Sequence, residues 1–115
     1  MLIAVDAGNT HTVLGLFAGE ELVDHWRIAT NASRTSDEHA LLVSQFLAQH
    51  GATFSQVSGM VVSSTVPRLT AVLRTLAERY LRVAPVVLEP GIRTQFPPGC
   101  STSVWAGGSA LHSGT

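Results

Sequence analysis

An apolar run from Leu2 to Val5 opens the chain and closes on Asp6-Ala7-Gly8-Asn9-Thr10, the pattern of a buried strand entering a tight turn. Apolar residues resume over Val13 to Phe17, break at Ala18-Gly19-Glu20-Glu21, and return over Leu22 to Ala29. Three strands joined by short turns predict an antiparallel meander. The period then changes. Thr35 followed three positions later by Glu38 forms a capping box, and Asp37 places negative charge where a helix dipole favours it. Ala40, Val43, Phe46 and Leu47 share one helical face, and Gly51 suits the position just past the helix end. Val57 to Ser64 is rich in β-branched residues and predicts a strand, after which Pro67 opens a second helix. In that helix Leu69, Val72, Leu73, Leu76 and Tyr80 line one stripe, with Arg68, Thr75, Glu78, Arg79 and Arg82 opposite. Pro85 to Leu88 is the last strand, stopped by Pro90-Gly91.

The order β-β-β-α-β-α-β predicts an α/β domain: a meander passing into parallel strands through crossover helices, hence a mixed sheet covered by helices. That is the order of the ribonuclease-H-like half-domain of sugar kinases, actin and Hsp70, a likeness that does not assign function. The domain is expected over residues 1–94. From Gln95 the chain turns Pro-, Gly- and Ser-rich without a period, so residues 95–115 are expected to form a poorly ordered tail.

Composition narrows the chemistry. At 115 residues, 45% hydrophobic and 13% charged, the chain can bury one core. The formal net charge is -1, and the seven basic residues are dispersed arginines, which argues against a nucleic-acid partner. With no lysine, Walker-type phosphate lysines and Schiff-base chemistry are excluded. Cys100 is the sole cysteine, so neither an internal disulfide nor a thiolate metal cluster forms. No apolar run has the length of a signal h-region or a membrane span, so a cytoplasmic protein with no membrane partner is expected.

The candidate chemistry sits in the first turn. Gly8 lets a backbone approach a phosphate, Asn9 and Thr10 add short donors, and Asp6 can hold Mg²⁺ through water. The same residues are those that turns favour for their own sake, so the turn alone carries either reading. His11 reads as a solvated turn residue, with no second histidine at ligand spacing. Ser63 and Ser64 end a parallel strand, where they can line a ligand cleft or cap the next helix. Trp26-Arg27 reads as an amphipathic packing pair, its arginine within reach of Asp37 or Glu38.

Several segments together resemble the type III pantothenate kinase family, from Met1 to about Gly91. They are D-x-G-N-T-x-T at Asp6 to Thr12, V-L-G-L-F at Val13 to Phe17, Trp26-Arg27, and T-x-D-E at Thr35 to Glu38. V-S-S-x-V-P at Val62 to Pro67 and P-G-I-R-T at Pro90 to Thr94 complete the set. The resemblance implies ATP-dependent phosphorylation of pantothenate to 4'-phosphopantothenate, the first step toward coenzyme A. It implies ATP, Mg²⁺ and a monovalent cation (K⁺ or NH₄⁺) as cofactors, pantothenate as substrate, and a homodimer when complete. The phosphate-binding turn then comprises Asp6, Ala7, Gly8, Asn9, Thr10, His11, Thr12 and Val13.

The chain departs from that pattern after Thr94. Where the family carries G-A-D-R, with the aspartate as general base, this chain has Gly107-Gly108-Ser109-Ala110; Gly107 matches as a substrate-binding position, while Ser109 stands in the base position. A serine hydroxyl does not serve as a carboxylate base at neutral pH. Cys100 stands where the family has a substrate-binding tyrosine. The expectation is therefore a truncated N-terminal part, inactive alone; a reading-frame change near Gln95 is the preferred origin of the break, with a genuine truncated paralogue as the alternative. Two other functions compete: a non-catalytic nucleotide-binding or regulatory module, and a ribonuclease-H-like nuclease. The nuclease ranks last, because Val57 to Thr65 offers no carboxylate for a two-metal site.

Overall fold

The computed structural model describes residues 1–88. Seven elements form the predicted order: β1 (Leu2–Ala7), β2 (His11–Ala18), β3 (Glu21–Ala29), α1 (Ser36–Gln49), β4 (Gly59–Ser64), α2 (Pro67–Leu76) and β5 (Val86–Leu88). The sheet order is β3-β2-β1-β4-β5. β1 pairs antiparallel with β2 and parallel with β4, β2 pairs antiparallel with β3, and β4 pairs parallel with β5. The expected mixed α/β sheet is what forms.

The helices pack on one face. Ile3 and Val5 of β1, Leu14 and Leu16 of β2, and Met60 and Val62 of β4 are buried together with Ala40, Val43 and Leu47 of α1 and Leu73 and Leu76 of α2. The period-two alternation sends Ala4, Val13, Phe17, Val61 and Leu88 into a second buried cluster. A bulge between Leu16 and Phe17 shifts the β2–β3 register, so that Val23 joins the helix-side core while Leu22 joins the second cluster.

The helix signals act as their chemistry requires. Thr35 caps α1: its hydroxyl accepts from the Glu38 amide at 3.1 Å, and the Glu38 carboxylate accepts from the Thr35 amide at 2.8 Å. These hydrogen bonds hold the exposed Glu38 carboxyl below the usual carboxylate range. Past the helix, Gly51 takes φ +78, the left-handed conformation that glycine adopts without cost. Trp26 lies flat on Phe46 of α1, ring centroids 5.0 Å apart and planes 9° from parallel, so it is a packing residue as expected. Glu38 is engaged in the cap, while Asp37 accepts from Arg79 at 3.3 Å and from the Tyr80 hydroxyl.

The end of the second helix departs from the sequence pattern. α2 stops at Leu76, and residues Ala77–Leu81 widen into a π-type turn that closes with Arg82 at φ 57 and the Val83 amide on the Ala77 carbonyl. The wider turn advances the phase by one residue, so Leu81 rather than Tyr80 fills the core. Tyr80 is left half-buried with its hydroxyl on Asp37, tying this turn to the start of α1. A 3₁₀ turn at Phe54–Gln56, absent from the predicted elements, leads into β4. Of the α2 stripe, Leu69, Leu73 and Leu76 are buried, while Val72 and Tyr80 are half-buried. The exposed large apolar side chains among the described residues are Leu41, Val86 and Val87.

Two predictions follow from α1. Thr35→Ala should cost about 1 kcal/mol in urea unfolding, the usual cost of losing a side-chain cap. His39 is 3% exposed and its Nε2 has no hydrogen-bond partner. Burial, aided by Arg34 and opposed by Glu38, lowers its pKa below 6.5. Acidification through the unfolded value therefore protonates the unfolded chain first, and stability falls until the folded pKa is passed. His39→Leu should lose less melting temperature than the wild type between about pH 7 and about pH 5; equal losses would show that this histidine does not contribute.

Candidate functional site

β1 and β4 run parallel, so their C-terminal ends lie at the same edge of the sheet, and the β1–β2 hairpin turns there. Register places Asp6 between Val13 of β2 and Ser63 of β4, in one row across three strands. The next row, Thr12, Ala7 and Ser64, projects toward the opposite face. Asp6 and Ser63 thus share a side of the sheet end, and both are half-buried.

The hairpin closes through the Gly8 amide, which donates to the His11 carbonyl at 2.9 Å. Gly8 is accordingly part of the turn's own closure, and the exposed tip is Asn9-Thr10, followed by exposed His11. The positive-φ residues of the described chain are Gly19, Gly51 and Arg82, so Gly8 is not needed for a left-handed conformation. A β-carbon at Gly8 would meet the His11 carbonyl oxygen at 3.4 Å, which makes the position tight rather than forbidden.

Both flanks of the turn are tied down. On one side the Thr65 amide, in the β4–α2 connection, donates to the Ala7 carbonyl at 3.0 Å. On the other, just past β3, the Thr30 amide donates to the Thr10 carbonyl at 2.9 Å and the Thr30 hydroxyl to the Gly8 carbonyl at 2.7 Å. Thr12, 3% exposed, places its hydroxyl 2.8 Å from that of Thr30.

The eight residues expected to bind phosphate divide by position. Asn9, Thr10 and His11 are exposed at the tip, Asp6 and Gly8 border it, and Ala7, Thr12 and Val13 are buried beneath it. The two strand-end serines also separate. The Ser64 hydroxyl accepts from the Val66 amide and donates to the Val66 carbonyl, each at 2.9 Å, so it shapes the entry to α2, while Ser63 stands beside Asp6. Thr30 and Thr65 escaped sequence reasoning, because only pairing across 22 and 58 positions brings them to the turn. Among the described residues no group of three His, Cys, Asp or Glu side chains can hold a metal. A divalent ion here would therefore need oxygens beyond Asp6, such as those of a polyphosphate. The expectations for Cys100, Gly107, Ser109 and the 95–115 tail lie outside the described residues.

A five-stranded mixed sheet with this connectivity and a clamped hairpin at its parallel-strand edge has the fold of the sugar-kinase and actin class. The solved structure of a proposed N-acetylglucosamine kinase from Porphyromonas gingivalis shares it with a TM-score of 0.55, covering 78% of this chain and 34% of that one at 14% identity, a likeness of fold alone. Within that class, the chain belongs to the type III pantothenate kinase family, whose model matches residues 2–107. The match runs past the break expected at Gln95. The type III pantothenate kinase of Myxococcus xanthus is 48% identical over 97 residues, and that of Acidothermus cellulolyticus 50% identical over 98. Each alignment takes in 84% of this chain, which spans 38% of the relative's length.

Because Ser64 is engaged with Val66, Ser64→Ala should cost about 1 kcal/mol in denaturant unfolding. It should also accelerate hydrogen exchange at the Val66 amide. An unchanged exchange rate there would show that the hydroxyl does not hold the α2 entry.

Proposed function

We propose that this chain is the nucleotide-binding part of a pantothenate kinase, an enzyme that transfers the γ-phosphoryl group of ATP to the pantothenate hydroxyl to give 4'-phosphopantothenate. The observation that carries the reading is the β1–β2 hairpin: an Asn9-Thr10 tip exposed at the parallel-strand edge, held from both flanks, with Asp6 and Ser63 beside it. Phosphoryl transfer asks a protein chiefly for positioning and charge stabilisation. With no lysine in the chain and no arginine in the turn from Asp6 to Thr12, the hairpin meets that demand with backbone amides, short polar side chains and a metal ion.

In this reading the Asn9 and Thr10 amides and side chains contact the phosphates, with Gly8 and His11 at the margins. Ala7, Thr12 and Val13 support the turn from below. Asp6 holds Mg²⁺ through water, the arrangement suited to an ion that keeps part of its hydration shell and shares phosphate oxygens. Ser63 lines the cleft. Support for pantothenate as substrate, for a K⁺ or NH₄⁺ requirement, for a homodimer and for a cytoplasmic setting comes from membership of the family. The general base lies outside the hairpin, and with Ser109 in its sequence position the chain by itself binds nucleotide without turning it over. Among the described residues no helix is long and apolar enough to cross a membrane.

Titrating the ¹⁵N-labelled chain with Mg-ATP tests this directly. Asn9 and Thr10 amide resonances should move, and Asp6→Asn should weaken the Mg²⁺-dependent affinity by about tenfold, or roughly 1.4 kcal/mol. A folded sample whose tip resonances stay still at saturating nucleotide would overturn the reading.

A further inference from the structure

We propose that Thr30, at the end of β3, is the positioning residue that sets the orientation of the phosphate-facing amide, acting through a hydroxyl relay that starts at Thr12. The inference deepens the nucleotide-binding reading and rests on it. The Thr30 hydroxyl has a single hydrogen, which it gives to the Gly8 carbonyl at 2.7 Å. The 2.8 Å contact between Thr12 and Thr30 must then run from Thr12 as donor to Thr30 as acceptor. Thr12 is 3% exposed, so water does not compete for its hydrogen. The result is a directed chain, Thr12 to Thr30 to Gly8, in which each bond polarises the next.

Thr30 also donates its amide to the Thr10 carbonyl at 2.9 Å, so one residue grips the carbonyls before and after the tip residue Asn9. Peptide units are planar and trans, and a carbonyl drawn toward Thr30 turns the amide of the same unit the other way. The Gly8–Asn9 unit is therefore held with the Asn9 N–H pointing away from β3. The hairpin does not hold this geometry by its own preference. Two-residue hairpins favour primed turns with positive φ, and Gly8, Asn9 and Thr10 all lie outside that region. The grip from β3 supplies what the turn type does not.

Thr30→Val and Thr30→Ser in the full chain, titrated with Mg-ATP by ¹⁵N NMR, separate the outcomes. Thr30→Val, which keeps the shape and loses the hydroxyl, should shift the free-state Asn9 amide and weaken nucleotide affinity about tenfold, while Thr30→Ser should stay within about twofold of wild type. A wild type that responds to nucleotide together with an equally responsive Thr30→Val removes the inference and leaves the nucleotide reading standing. A folded Thr30→Ser as weak as Thr30→Val would show that the hydroxyl alone does not carry binding, and also overturns it. Should Thr30→Val fail to fold, Thr12→Val, which removes only the first donor of the relay, is expected to weaken binding about threefold; wild-type affinity in that variant overturns the relay. A wild type that ignores nucleotide removes both the reading and the inference.

Discussion

The arrangement at the site hangs from β1, which is hydrogen-bonded to β2 along one edge and to β4 along the other. Its two partners differ in direction, and that difference matters. The antiparallel partner returns the chain at once and creates a tight turn, while the parallel partner delivers its own C-terminal end to the same edge. The hairpin turn thereby meets the end of β4 and the start of α2, although both lie far along the chain from it. Asp6 and Ser63 become neighbours for this reason alone.

The core serves that arrangement. α1 spans from the turn after α2, through Asp37 with Arg79 and Tyr80, to β3, where His50 Nδ1 lies 3.4 Å from Asp24 and Phe46 stacks on Trp26. The exposed Arg79–Asp37 ion pair in this frame contributes little by itself. Burial of Leu47, Leu73, Leu76 and their neighbours contributes far more, and it holds the outer strand β3 against the sheet. Since Thr30 follows directly on β3, the packing of one face of the sheet is transmitted to the hairpin at its edge.

The division of labour at the hairpin explains a sequence motif that looks uniform. In Asp6 to Thr12, the polar residues are not equivalent: Asn9 and Thr10 face solvent at the tip, whereas Thr12 is buried and spends its hydroxyl on Thr30. Gly8 closes the turn with its amide and accepts Thr30 with its carbonyl, so a small residue there leaves room around both bonds.

Local chemistry made much of this legible in advance. The capping box at Thr35, the glycine past α1, the alternation of β1 and β2 and the proline opening α2 are decided within a few residues, and each element formed where its own residues placed it. The mixed sheet followed from the order of the elements, and the candidate turn from its composition. The tertiary structure decided the rest. It inserted the wide turn at Ala77–Leu81, because Leu81 gains more by burial than Tyr80, whose hydroxyl finds Asp37. It assigned Ser64 to the α2 entry and Ser63 to the row of Asp6, and it recruited Thr30 and Thr65 to the hairpin. Hydrogen bonds between residues far apart in sequence leave no periodic trace along the chain. Only folding the strands side by side reveals which hydroxyl meets which carbonyl.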